Sequence, residues 1–194
     1  MNKDMSNKTL RKYAEMASEV FMEDPVYLKV TGSKWLRKII IREGLLIRMY
    51  ESRNNGDLFY FDEQGRGMLI LKKADRELQF TEMLKCPNAP VVLPLLPYVI
   101  KLMSITARCD NKGVIGEDSY IISPIFVGKD YQKQGVAKNL VKKAAADILP
   151  QGYKIGLDTQ NAANVEKYEK MGFELIKQEV FEQHGINNYY MVMK

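Results

Sequence analysis

The segment Gln132-Lys133-Gln134-Gly135-Val136-Ala137 joins an apolar run ending at Val127 to a strongly amphipathic stretch. A loop that runs into a helix at about Gln134 to Ala137 leaves several amide N–H groups without intrahelical acceptors. The helix dipole adds partial positive charge at the same end. Gly135 and Ala137 carry little or no side chain, so a ligand could approach that backbone closely, and Lys133 and Lys138 would supplement the field. The chemistry on offer is capture of an anion such as a phosphate. A small-residue helix start packed on a strand is an equally good reading of these residues alone.

The familiar phosphate-binding motifs do not decide between the two. A Walker loop needs two glycines flanking four residues and then Lys with Ser or Thr, whereas Gly128 is followed by Lys133 without that pattern. A dinucleotide fingerprint needs three glycines where only Gly128 and Gly135 stand. His184 is the sole histidine, and Cys86 and Cys109 form no C-x-x-C pair, so no zinc site can be assembled from known spacings. Beside Gly185 in a turn, His184 reads as solvated. The cysteines read as small packing residues in a reducing cytoplasm.

The elements that must hold this loop follow from hydrophobic periodicity. Leu10, Tyr13, Ala14, Ala17, Val20 and Phe21 recur at helical spacing until Asp24-Pro25 stops them, and a second helix starts at Ser33 and continues past Gly44 towards Met49. Asn55-Gly56 and Gly65 to Gly67 then bracket a β-hairpin with strands near Leu58 to Phe61 and Met68 to Lys72. Arg76 to Leu84 and Leu95 to Ala107 read as helices separated by a proline-rich bend. "DNKGVIGED" reads as a turn before a strand from about Tyr120 to Val127, where Pro124 cannot donate to a ladder and signals an interruption.

Beyond the loop, Val136, Leu140, Val141, Ala144, Ala145 and Ile148 share one helical face. "YKIGLDT" alternates as a strand, "ANVEKYEKMG" makes a helix ending at Gly172, and the two strands flanking Gln183-His184-Gly185 close a terminal hairpin. The expectation is an α+β chain read as one domain over 1–194, with helices, a hairpin, more helices and then β-α-β-α-β-β.

Composition narrows the class. Apolar residues make up 46% and charged residues 27% of 194 positions, which is ordinary for a soluble globular protein. The net charge of +5 comes without any block of like charge, so a small polyphosphate ligand accounts for it and nucleic acid is not expected. The amino terminus lacks the apolar core of a signal peptide, and "APVVLPLLPYVIKLM", broken by Pro94 and Pro97, is read as too short to span a bilayer.

With these elements in place, Gln132 to Ala137 resembles the Q/R-x-x-G-x-G/A motif of the GNAT family of N-acetyltransferases, preceded by a strand and followed by a helix. Leu157-Asp158-Thr159, then Asn161, Asn164, Tyr168 and Gly172-Phe173, is similar to that family's second signature. "EVFMEDPVY" resembles its F-x-x-D-P segment more loosely. Lys129 stands where many members carry proline.

The resemblance implies a mixed, mostly antiparallel twisted sheet flanked by helices and splayed between the family's fourth and fifth strands. Acetyl-CoA would lie in the splay, with its pantetheine along Ile125, Phe126 and Val127. Its pyrophosphate would rest on Gln132, Lys133, Gln134, Gly135, Val136, Ala137 and Lys138, and its amides would meet Asn161 or Asn164. A backbone N–H near Val127 would polarise the thioester, and Tyr168 would protonate the leaving thiolate. No metal is implied. The acceptor would be the amine of a small molecule or peptide, with a CoA-binding sensor that does not turn over as the alternative. A homodimer stays open, and no general base is visible.

Overall fold

The computed structural model describes residues 5–76, 86–106 and 109–194. Helix α1 (Asn7–Val20) is capped by Ser6, whose hydroxyl accepts the Thr9 N–H at 3.1 Å. Asp24 does more than stop it. Its carboxylate accepts the Val26 N–H at 3.0 Å and starts a further helix, α2 (Pro25–Val30), with Pro25 at the first position, where a missing N–H is harmless. The sequence reading had no helix here. Ser33 caps α3 (Lys34–Asn55), which runs through Gly44 and well past Met49 before Gly56 ends it at φ 74°.

The hairpin forms as expected from β1 (Leu58–Phe61) and β2 (Gly67–Lys73). The predicted helix from Arg76 to Leu84 lies outside the described residues, apart from Arg76 itself. Next come α4 (Ala89–Val92), a 3-10 turn over Leu93–Leu95 and α5 (Leu96–Thr106). By length and composition, Ala89–Ile115 holds an 18-residue window, at a mean hydropathy of 1.6, that is long and apolar enough to cross a membrane. That differs from the sequence expectation, because Pro94 and Pro97 sit in first turns and do not end the helical run.

The segment expected as a turn contains helix α6 (Asn111–Ile115), capped by Asp110 through the Gly113 N–H at 2.7 Å. The remaining elements are β3 (Ser119–Val127), α7 (Val136–Ile148), β4 (Lys154–Thr159), α8 (Ala162–Glu169), β5 (Glu174–Phe181) and β6 (Ile186–Met193). The six strands form one sheet in the order β1-β2-β3-β4-β6-β5, in which only β3 and β4 run parallel. One face packs Met68, Ile70 and Phe126 against Leu10, Tyr13, Ile41 and Met49 of α1 and α3. The other packs Leu69, Leu71, Ile155 and Leu157 against Val136, Leu140, Val141, Ala144 and Ile148 of α7.

Two departures from regular pairing shape the centre of this sheet. Strands β3 and β4 pair only at Ser119↔Lys154, Tyr120↔Ile155 and Ile121↔Gly156, although both continue beyond. On its other edge β3 pairs Ile122 with Leu71 and Ile125 with Leu69, so Ser123 and Pro124 together oppose Ile70. A bulge bends the strand that carries the extra residue. The interruption predicted from Pro124 therefore falls where β3 stops pairing with β4.

Candidate functional site

The open part of the β3/β4 seam is lined on one side by backbone. Gly128 donates its N–H to Arg66 at 2.9 Å. Successive residues of an antiparallel strand point their polar groups in opposite directions, so the N–H and C=O of Val127 turn away from β2 and towards the seam. Its carbonyl is met there by Gln132 Nε2 at 3.3 Å. Of the three residues predicted along this edge, Ile125 is half-buried while Phe126 and Val127 are buried.

The loop that follows is exposed from Lys129 to Gly135. Gln134 Nε2 fastens it to the Asp130 carbonyl at 3.0 Å. Lys133 holds a positive φ of 63° and Gly135 one of 78°, an alternation that gathers successive N–H groups on one side of the chain. The first intrahelical bond runs from Asn139 N–H to the Gly135 carbonyl at 3.0 Å. The amides of Val136, Ala137 and Lys138 thus precede any intrahelical acceptor. A Cβ built on Gly135 meets nothing within 4 Å, so the space in front of this cradle is open.

On the opposite side stands Tyr168 from α8. Its ring packs edge-on against Phe173 at 5.8 Å, and its carbonyl accepts the N–H groups of Met171 and Phe173 at 2.9 and 3.1 Å, which anchors the helix end. Burial pushes the phenol up to about 12, and the carboxylates of Asp158 and Asp24 push in the same direction. The phenol therefore keeps its proton at neutral pH and is a donor. Asp24, on the far side of the sheet's opening, has its own carboxyl raised by burial, with the amides of Val26 and Tyr27 opposing.

The asparagines of the second signature are engaged within the chain. Asn161 Oδ1 accepts the Ala163 N–H at 3.1 Å and caps α8, while Asn164 Nδ2 donates to Thr159 Oγ1 at 3.4 Å and its Oδ1 accepts from Lys167 at 3.0 Å. Asn161 thus serves as the N-cap of α8, which leaves its Nδ2 to donate elsewhere.

Three features escaped the sequence reading. Asp158, quoted there only as part of a motif, accepts from Asn111 Nδ2 at 2.7 Å and from Gln160 Nε2 at 2.8 Å. Gln160 also meets the buried Asn188 and the sulfur of Cys109, the latter at 3.7 Å. Cys109 therefore sits in a polar network and is not apolar packing, although burial and Asp158 raise its thiol and keep it protonated. Cys86 does pack in the core. Arg48 and Lys72 also come to this region, from α3 and β2, with Arg48 Nη1 donating to Ser123 Oγ at 3.3 Å. Alternation along "MLILKK" put Lys72 on the Ile70 face, but nothing local placed Arg48 beside it. Among the described residues, no three His, Cys, Asp or Glu cluster to hold a metal ion.

Comparison with known proteins bears on this arrangement. The acetyltransferase (GNAT) domain family matches residues 107–194. No curated protein matches the chain. A GNAT-family protein from Desulfovibrio desulfuricans superposes with a TM-score of 0.52 at 13% identity, over 94% of this chain and 92% of its own. The ribosomal-protein-S18-alanine N-acetyltransferase of Escherichia coli aligns over 76% of this chain and 75% of its own at 13% identity and a TM-score of 0.45. A protein assigned as a streptothricin acetyltransferase from Bacillus anthracis, crystallised with acetyl coenzyme A, is 18% identical over 71% of this chain with a TM-score of 0.44. The chain spans 61% of that protein's length. The acetyltransferase (GNAT) domain is thus matched over the carboxy-terminal part of the chain, and the fold of a GNAT-family protein is shared along nearly its whole length.

Proposed function

We propose that the chain transfers an acetyl group from acetyl-CoA directly to a primary amine of a small molecule or peptide, with residues 1–194 acting as one acyltransferase domain. The observation that carries this reading is the coincidence, at one opening of the sheet, of an unpaired strand edge, an amide cradle and a protonated phenol.

The residues present fit the cosubstrate. The cradle before α7 has donors, positive field and empty space where a pyrophosphate would rest, with Gln132, Lys133, Gln134, Gly135, Val136, Ala137 and Lys138 contributing backbone or charge. Ile125, Phe126 and Val127 offer a strand edge along which a pantetheine amide chain can pair. Asn161 Nδ2 or Asn164 would meet its amides from the other side. When bound, acetyl-CoA supplies the activated acyl group.

The chain's own part is positioning and charge. The Val127 N–H, turned into the seam, polarises the acyl carbonyl and stabilises the negative charge that builds on its oxygen. Tyr168 donates its proton to the departing sulfur. Asp24 and Asp158, which both act on that phenol, favour a cationic amine at the same mouth. No carboxylate of β3 stands ready as a base, and solvent or a neighbouring carboxylate takes the amine's proton before attack. Cys86 and Cys109 are not joined as a disulfide, which suits the cytoplasm that we propose as the setting.

The test is calorimetry with acetyl-CoA and CoA, followed by thiol release across a panel of amines. Micromolar binding with acceptor-dependent release is expected. Binding without release on any amine would instead support a CoA sensor with the same fold.

A further inference from the structure

Between α3 and strands β2 and β3 lies a small cleft of about 20 Å³ that opens to solvent. Arg48, Glu51, Asp57, Lys72, Arg76 and Ser123 bring charge or hydrogen bonding to it. Its position is set by the β3 bulge, because Ser123 belongs to the bulge and takes the Arg48 hydrogen bond. The cleft therefore adjoins the open seam.

The charges in it are unevenly matched. Asp57 is engaged by Arg76 at 2.6 Å, and Glu51 has an interaction of its own. Arg48 and Lys72, both half-buried, form no ion pair among the described residues. Burial and then Arg48 pull the Lys72 ammonium below its ordinary value, against the opposing pull of Glu51, Asp158 and Asp57. Two cations that repel one another in a partly dry cleft are both stabilised by an anion placed between them, and a guanidinium offers such an anion two parallel N–H donors.

The same cations are tied electrostatically to the acid end of the site. Asp158 acts on Lys72 and on Tyr168, while Arg48 and Asp24 both act on Tyr27, in opposite directions. Asp24 and Asp158 thus act near the phenol, while Arg48 and Lys72 meet at the bulge beside Glu51 and Asp57. We propose that Arg48, Lys72 and Ser123 form a subsite for the oxyanion of an acceptor that carries both an amine and an acid group, an amino acid being the simplest. This inference rests on the N-acetyltransferase reading and names the class of its acceptor. The ammonium end faces Asp24 and Asp158 beside Tyr168, and the acid end faces the two cations.

The experiment compares acceptors that differ only in the acid. With acetyl-CoA saturating, kcat/KM is measured for free L-amino acids, for aminoalkyl phosphates and for the decarboxylated or dephosphorylated amines of each. At least about a tenfold preference for the acid-bearing member of a pair is expected, the scale of a hydrogen bond to a charged group. The preferred series shows whether the acid is a carboxylate or a phosphate. The preference should collapse towards unity in Lys72→Met and Arg48→Met, with unchanged acetyl-CoA affinity reporting that each variant is folded. Equal or better turnover of the plain amines overturns the subsite, as does a preference that survives both substitutions. Should acetyl-CoA bind and no amine be acetylated, the N-acetyltransferase reading fails by itself. Side-chain NMR of Lys72 with added amino acids or inorganic phosphate then decides the subsite: a shift lost in Arg48→Met supports it, and no shift overturns it.

Discussion

The seam between β3 and β4 has two ends, and one glycine marks each. At the closed end Gly156 pairs with Ile121, and a Cβ there would come within 2.5 Å of Ile115 Cδ1 and 2.8 Å of its Cγ2. Just beyond the open end Gly135 has nothing within 4 Å of the same virtual atom, yet holds a φ of 78°. The first glycine is required because α6 lies directly on the strand. The second is required by the backbone conformation that turns amides outward, in space that packing has left empty. The first position serves packing in the paired part of the seam, whose last pair is Gly156 with Ile121, and the second leaves open space beyond it.

The largest effect should come from the open end. Gly135→Val forces a branched residue into a left-handed conformation and fills the space before the cradle, so acetyl-CoA affinity measured by calorimetry should fall by about 100-fold or more. Unchanged affinity would move the phosphate site elsewhere. At the closed end, Gly156→Ala should leave that affinity alone in the folded protein but lower stability by about 1–3 kcal/mol, read from the urea midpoint, because Ile115 must be displaced. A variant that lost binding but not stability would erase the contrast.

Across the seam, Tyr168→Phe should lower kcat by about tenfold or more while acetyl-CoA affinity stays constant, since general acid help is worth at least that when it operates. Equal turnover would leave Tyr168 a packing residue beside Phe173. The smallest effect concerns alkaline pH. The phenols of Tyr27, Tyr168 and Tyr190, ordinarily at 10.0, are pushed up to about 12, chiefly by burial. Through neutrality the phenols are protonated in both states and contribute no slope. Between about pH 10 and 12 the unfolded chain has released protons that the folded chain retains, so stability should fall as pH rises through that window. The slope of urea midpoint against pH should be shallower in Tyr168→Phe.

The two ends also differ in how far the sequence exposes them. Gly135 stands in a run whose glycine, small residue and flanking strand and helix all appear within a dozen positions, so loop, helix and candidate phosphate site could be read directly. Pro124 likewise announced its bulge, because a missing N–H is a local property. Helix α2 was missed because Asp24-Pro25 ends one helix and starts another with the same two residues. Helix α6 is five residues long and shows too little periodicity to be seen. The polar side of the site was hidden for a different reason. Arg48 and Ser123 are far apart in the chain and meet only once α3 lies on the sheet, and Cys109 finds Gln160 only after β4 and β6 have paired. Motif spacing reports backbone that is built locally, whereas an acceptor pocket is assembled from side chains that topology brings together.

The β3 bulge has a consequence for timing. Because the extra residue is fixed by pairing with β2, on the edge away from the seam, the gap beside β4 does not depend on anything entering it. A ligand meeting a slot that already exists need not wait for a rare open state. Association should therefore depend linearly on ligand concentration without reaching a plateau set by an opening step, and differences in affinity among acyl-CoA analogues should lie mainly in how long each stays bound.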